Sequence, residues 1–290
     1  MKLELILGAM KNIETDNYGS PYTVIDNIHY AKDQNIDVLI GPEWSLTCSP
    51  GIYTESMIIG RKAKDAMEIL FNDPDYIEYG PKDAKKILLE KIHDGKERFY
   101  AIPHIPHSKR EYERVLSDVK KASIGSDMTI FPGTAMFYDK DRILYNVMPV
   151  ISNGRVIKNI YKFGDGSGSA FNLDGALKLF PGEVSPDKND YSLSYGKDPA
   201  VYHNGIKTAA EICIDTGILN NRYGINDLDL QILSSCGNSY AVPAVGDNGF
   251  IAVTDGFRSA EIKVTKKNGA KLKPVKKSAK MGIFRLDFYK

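Results

Sequence analysis

The feature that most restricts the fold of this chain is a short apolar run that ends close to a cysteine. The run Thr208 to Ile214 lies between a turn signal, Asn204-Gly205, and Gly217. This profile is typical of a buried strand and places Cys213 near the strand's end. A sulfur there can react, and the backbone N–H of Ile214 can face an oxyanion that forms beside it. The alternative is a buried core cysteine, as most free cysteines are.

Two other apolar runs end at residues that a reactive cysteine needs. A thiol with a pKa of ~8.5 is mostly protonated at neutral pH, so catalysis requires a base or a nearby cation. The run Val38 to Ile40 leads to Glu43, which is followed by Trp44, the only tryptophan. The strand-like segment Gly154 to Tyr161 leads to Lys162. Because α/β sites gather at the carboxyl ends of strands, Glu43 is a candidate catalytic carboxylate, and a solvated loop acid is the alternative.

The order of these three residues resembles the nitrilase (carbon–nitrogen hydrolase) superfamily. The motifs that carry the resemblance are Gly41-Pro42-Glu43, Gly133-Thr134, Tyr145-Asn146, Gly154 with Tyr161-Lys162, Ile212-Cys213-Ile214-Asp215 and the strand Leu228 to Leu233. They cover most of the chain. The resemblance implies an α/β fold, a four-layer α-β-β-α sandwich, formed by one domain over residues 1–290.

The resemblance also implies a cysteine-dependent hydrolase of a non-peptide C–N bond. An amide substrate is favoured over a nitrile, because amide hydrolysis dominates the family. Glu43 would be the general base, Cys213 the nucleophile that forms a thioester, and Lys162 with the Ile214 N–H would stabilise the developing charge. No metal or organic cofactor is implied. A catalytically idle binding protein, an acyltransferase of the same superfamily and a Cys–His hydrolase using His203 are the alternatives.

Three further residues are candidates for substrate binding: Trp44, Glu211 and Glu183. If strand alternation continues to Cys213, Glu211 lies on the same face and binds a cationic or amine-bearing substrate, or else forms a salt bridge. Glu183 ends the segment Phe180-Pro181-Gly182-Glu183, which resembles a family motif.

The family's second glutamate, which follows the lysine and contacts it, has no clear counterpart. Ala170 stands eight residues past Lys162, and the first acids available are Asp165, Asp174 and Glu183. The sequence therefore assigns this role to no residue.

Two regions depart from the family pattern. A helical segment around residues 56–106, with a helix predicted at Pro81 to His93, is inserted. The stretch Cys236 to Gly249 is too rich in Gly and Pro for the long helix that the family has there, and Arg258 to Glu261 resembles that helix only in its letters. The C-terminal half is therefore atypical, and a homodimer would have a non-standard interface.

Composition and net charge restrict the kinds of partner and the cellular compartment that can be expected. Lys and Arg total 38 and Asp and Glu 37, for a net charge of +1, which predicts neither a nucleic-acid nor a membrane partner. The small-molecule substrate is what the family resemblance implies. The apolar stretch Leu3 to Met10 is interrupted by Glu4 and lacks a cleavage pattern, so no export is predicted. The cysteines Cys48, Cys213 and Cys236 are too few for a disulfide framework, which favours the cytoplasm.

Two other motifs have some features of a binding site but lack the ones that such a site requires. His104 and His107 are separated by a proline and lack partners with ligand spacing, so no metal site is predicted. The loop Gly164 to Ser169 lacks the Gly-Lys-Ser/Thr ending of a phosphate-binding loop. We interpret it as a substrate loop.

Overall fold

The computed structural model describes residues 2–11, 21–47, 107–141, 143–163, 178–181, 191–235, 238, 240–256 and 262–289. Several predictions lie outside these residues. They are the inserted segment around 56–106 with its helix Pro81 to His93, the loop Gly164 to Ser169, Glu183 and Arg258 to Glu261.

The described elements are numbered in chain order. The helices are α1 (Pro21–Asp33), α2 (Lys109–Ser123), α3 (Ser192–Tyr195) and α4 (Ile218–Asn221). The strands are β1 (Lys2–Met10), β2 (Val38–Ile40), β3 (His107–Ser108), β4 (Thr129–Phe131), β5 (Ala135–Tyr138), β6 (Ile143–Ser152), β7 (Arg155–Tyr161), β8 (Lys178–Leu179), β9 (Val201–His203), β10 (Ile206–Ile212), β11 (Leu228–Ser235), β12 (Val245–Asp255), β13 (Ile262–Lys266), β14 (Lys276–Lys277) and β15 (Met281–Tyr289). None of the helices in this part of the chain is long and apolar enough to cross a membrane.

The strands of the described residues form two sheets. Sheet A has the order β14-β15-β1-β2-β4-β6-β5-β3, and β7 and β8 also pair with β6. Sheet B has the order β13-β12-β11-β10-β9. In sheet A, β2 is parallel to β1 and β4, and in sheet B, β11 is parallel to β10 and β12. This arrangement confirms the predicted α/β class.

Strand alternation divides the core into two layers. In β2, Val38 and Ile40 contact sheet B, whereas Leu39 points to the other face and packs against the helices. Helices α1 and α2 cover that face with the apolar residues that their 3.6-residue period predicts, Val24, Ile28, Ala31, Val115 and Val119. The described residues thus form the order helix, sheet A, sheet B.

The described residues place no long helix on the outer face of sheet B, so the predicted fourth layer stays a prediction. In the described part of the chain, the short helix α4 and residues 240–244 lie against this face through hydrogen bonds to Glu211 and Gln231. Only nine residues separate β11 from β12, fewer than the dozen or so that a helical crossover between parallel strands usually needs.

The turn that follows β2 is packed closely against the turn that follows β4. Gly133 has a φ of +91°, and a Cβ atom at this position would lie 1.9 Å from the carbonyl oxygen of Pro42. Only glycine fits here, since a side chain would push away the turn that carries Glu43. This contact explains the glycine in the Gly133-Thr134 motif.

The substitution Gly133→Ala is expected to reduce the free energy of unfolding by about 3 kcal/mol, because it adds both backbone strain and a clash with backbone atoms. Urea denaturation measures this loss. Gly125→Ala is the matched control: Gly125 has a φ of +77° with nothing within 4 Å of its added Cβ, so it should lose only about 1 kcal/mol. Equal losses in the two variants would contradict the close approach.

Candidate active site

Glu43 lies in a buried turn at the carboxyl end of β2. The turn is attached to both sheets: the Gly41 N–H donates to the Phe131 carbonyl of sheet A at 2.7 Å, and the Glu43 N–H donates to the Ser235 carbonyl of sheet B at 3.2 Å. Glu43 is 1% exposed. It is therefore not a solvated loop acid.

The next residue, Trp44, has a left-handed backbone conformation that is uncommon for a bulky side chain. Its φ is +65°, and its N–H donates to Thr134 Oγ1 at 2.9 Å. Its side chain is buried. Strained conformations of this kind persist where the surroundings fix them, often near functional sites. The substrate contact predicted for Trp44 stays a prediction.

Lys162 follows β7 and reaches Glu43 from the other side. Its Nζ donates to Glu43 Oε1 at 2.8 Å, and both side chains are almost fully buried. Asn146 Nδ2 donates to the same oxygen at 3.2 Å. Glu43 Oε2 is buried and has no hydrogen-bond partner among the described residues. The carboxylate therefore has one oxygen engaged twice and one oxygen available to take a proton.

Cys213 begins a turn immediately after β10. The strand ends at Ile212, and Cys213–Asp215 form one turn of 3-10 helix, so the predicted strand end at Ile214 was wrong by two residues. Cys213 has a φ of +48°, a left-handed conformation that breaks the strand. Its carbonyl accepts a hydrogen bond from Asn238 Nδ2 at 3.1 Å. Cys213 is partly buried, and the side chain of Ile214 is exposed.

Two contacts attach the Cys213 turn to the elements that carry the ion pair. The N–H of Phe163, the residue after Lys162, donates to Asp215 Oδ2 at 2.6 Å. Ile212 is paired with Ser234 in the parallel β10–β11 ladder, so Cys213 follows at the level of Ser235, whose carbonyl binds the Glu43 N–H. The ends of β2, β7 and β10 therefore lie at the same edge of the molecule.

Three supporting residues had no role in the sequence analysis. Asp215 Oδ2 also accepts a hydrogen bond from Tyr195 at 2.8 Å, and burial together with Asp215 raises the pKa of the Tyr195 hydroxyl. Asn146 holds Glu43. Asn146 and Asp215 belong to motifs that the sequence displays, but their functions depend on which side chains they meet. No local pattern marks Tyr195.

The strand alternation on which the prediction for Glu211 rests does not reach Cys213, because β10 ends at Ile212. Glu211 Oε1 accepts hydrogen bonds from the backbone N–H groups of Gly217 and Leu219 at 2.8 and 3.0 Å. Its Oε2 accepts one from Gln231 Nε2 at 2.8 Å. Among the described residues it forms no ion pair. These contacts give Glu211 a structural role in the segment that follows Cys213.

His203 lies at the end of β10 opposite to Cys213. It is paired with Ile206, the first residue of the strand, and its Nδ1 is 3.0 Å from Thr129 Oγ1. It lines a separate cavity of about 360 Å³ with Asp37 and Lys32. The Cys–His alternative is therefore wrong: six further strand residues separate this pair from the cysteine.

The described residues contain no group of three or more His, Cys, Asp or Glu side chains that could hold a metal ion. His104 and Glu183 lie outside these residues, so the predictions made for them stay predictions.

The fold is that of the nitrilase superfamily, as comparison with solved structures shows. The chain aligns over 98% of its length with Saccharomyces cerevisiae Nit3, a member of branch 10 of that superfamily, and covers 90% of that chain at a TM-score of 0.50 and 12% identity. No protein-family model matches the sequence, and no curated protein matches it.

Two other solved structures are similar. A mutant of the amidase from Nesterenkonia sp. AN1, which shows covalent addition of the acetamide moiety of fluoroacetamide at the active-site cysteine, has a TM-score of 0.51 and 11% identity, with 98% of this chain and 90% of that chain covered. Glutamine-dependent NAD+ synthetase from Acinetobacter baumannii has a TM-score of 0.53 and 12% identity over 99% of this chain. The chain spans only 46% of that synthetase.

The buried Glu211 carboxyl should make stability depend on pH. Burial raises its pKa from 4.5 to about 7, although its three hydrogen-bond donors oppose this shift. Between these two pH values the folded state keeps a proton on Glu211 that the unfolded state has lost. The folded protein is therefore most stable, relative to a variant without this carboxyl, below pH 4.5, and this advantage is lost as the pH rises through 7. Relative to Glu211→Gln, the wild-type free energy of unfolding should fall by about 3 kcal/mol across this range.

Urea denaturation at a series of pH values measures this difference. Asp247→Asn, which changes an exposed acid, is the control and should show no such trend. A wild-type stability that stays constant relative to Glu211→Gln, or rises with pH, would contradict the assignment.

Proposed function

We propose that the chain is a cysteine-dependent hydrolase that cleaves the C–N bond of a small-molecule amide through a thioester on Cys213. The observation that carries the proposal is the buried Glu43–Lys162 pair, whose contact is 2.8 Å, beside the turn that begins with Cys213. A buried ion pair is a poor way to stabilise a fold, because desolvation of both charges offsets their attraction. Its presence at the carboxyl edge of the strands favours a catalytic role.

In the first step, the Cys213 thiol transfers its proton to Glu43, and the sulfur adds to the amide carbon. Glu43 Oε2 is suited to accept the proton, since Oε1 is occupied by Lys162 and Asn146. Negative charge develops on the carbonyl oxygen of the tetrahedral intermediate. Lys162 and the Ile214 N–H would stabilise it, each such donor contributing about 3 kcal/mol in comparable sites.

In the second step, the C–N bond breaks and the nitrogen leaves as ammonia or an amine with the proton from Glu43. A water molecule then gives its proton to the same carboxylate and attacks the thioester, which releases the acid and regenerates the thiol. One carboxylate thus acts as base, acid and base again. The reaction balances without a metal or an organic cofactor.

Cys213→Ala is expected to reduce amide hydrolysis by about 10⁴-fold or more, because no thioester can form. Ammonia release from a panel of small primary amides measures this rate. Cys48→Ser and Cys236→Ser are the controls and should retain the parent rate. Equal ammonia release from Cys213→Ala and the parent would show that another residue is the nucleophile.

Mass spectrometry of the intact protein after incubation with the same amides separates the alternatives. An adduct that maps to Cys213 and is lost in water supports the hydrolase. An adduct that passes faster to an added amine than to water would identify an acyltransferase. No turnover, with Cys213 labelled no faster than Cys48 and Cys236, would indicate an idle binding protein.

A further inference from the structure

Asn146 contacts both members of the buried ion pair through different atoms. Its side-chain Nδ2 donates to Glu43 Oε1 at 3.2 Å, and its backbone carbonyl accepts a hydrogen bond from the Lys162 N–H at 2.8 Å. It is 5% exposed. One residue therefore sets the position of the acid by its side chain and the start of the lysine segment by its backbone.

The two donors to Glu43 converge on the same oxygen. Lys162 Nζ and Asn146 Nδ2 both bind Oε1, and Oε2 has no hydrogen-bond partner among the described residues. Hydrogen bonds to one carboxylate oxygen favour the ionised form and leave the lone pairs of the other oxygen as the acceptor for a proton. Asn146 thus determines which oxygen acts as the base and limits rotation of the carboxylate about its last bond.

The backbone around Asn146 is fixed by its neighbours on both sides. It lies within β6 and is paired with Met136 of β5, and the following residue, Val147, is paired with Tyr161 of β7. A side chain on a strand held by two neighbours orients a partner more exactly than a side chain on a loop.

We infer that Asn146 is a positioning residue for the reaction, which holds Glu43 with Oε2 toward the proton that it accepts. This inference rests on the proposed function. Asn146 is then a third member of the group formed by Glu43 and Lys162. The sequence assigns no counterpart of the family's second glutamate, which would otherwise contact the lysine. Because Asn146 acts through Glu43, its loss changes the pH at which Cys213 is activated rather than only the stability of the fold.

The test compares the pH dependence of Cys213 alkylation by iodoacetamide, resolved by mass spectrometry, in the parent and two variants. In Asn146→Leu, Glu43 loses a donor, so the curve should move to higher pH by about one unit. In Asn146→Asp, which has almost the same shape, a second carboxylate faces Glu43 and the curve should move further. The kcat for amides should fall about 10- to 100-fold in both variants with little change in KM.

Asn159→Asp is the matched control, since it adds the same charge at an exposed position of β7. It should keep the parent curve. Thermal unfolding shows whether each variant is folded. If Asn146→Leu does not fold, the result for Asn146→Asp decides the test. A folded variant that keeps the parent curve, or that loses rate equally at every pH, overturns the inference. A displaced curve without amide turnover in the parent supports the role of Asn146 and rejects the hydrolase.

Discussion

The buried contact between Glu43 and Lys162 is the interaction on which the arrangement of this site depends. Two charges that are almost fully removed from water must remain together, since loss of either partner leaves an uncompensated buried charge at a cost of about 3–5 kcal/mol. The ends of β2 and β7 are therefore constrained to meet. Replacing such a pair by apolar residues of similar volume is often neutral or stabilising, so the stability of the fold alone does not account for this pair.

Two residues with strained backbone conformations lie at the edge of the molecule where β2 and β10 end. Trp44 and Cys213 both have left-handed conformations without being glycine, which costs about 1–2 kcal/mol each. Their neighbours offset this cost: Thr134 binds the Trp44 N–H, and Asn238 binds the Cys213 carbonyl. Trp44 follows Glu43, and Cys213 is the proposed nucleophile itself, so both strained residues lie at the candidate site.

The sequence predicts the helices and strands better than it predicts the side-chain contacts between them. Periodicity identifies the apolar faces of α1 and α2, and strand-end logic with the family resemblance leads to Glu43 and Lys162. The predicted end of β10 lies two residues too late. The residue with the left-handed conformation that ends the strand is Cys213, and a cysteine does not indicate a turn as a glycine does. The contacts of Asn146 and Asp215 join segments far apart in the chain, so no local pattern could reveal them.

The atypical C-terminal half also bears on the turn that carries Cys213. Gln231, fully buried on β11, donates to the Val242 carbonyl and accepts from the Ala244 N–H, both at 2.8 Å, and so satisfies the backbone of the short connection to β12. Its amide also donates to Glu211, which binds the N–H groups of Gly217 and Leu219 after the cysteine turn. A continuous network of buried hydrogen bonds thus links the β11–β12 connection to the segment that follows Cys213 in the chain. These polar contacts therefore supply part of the support for the turn that begins with Cys213.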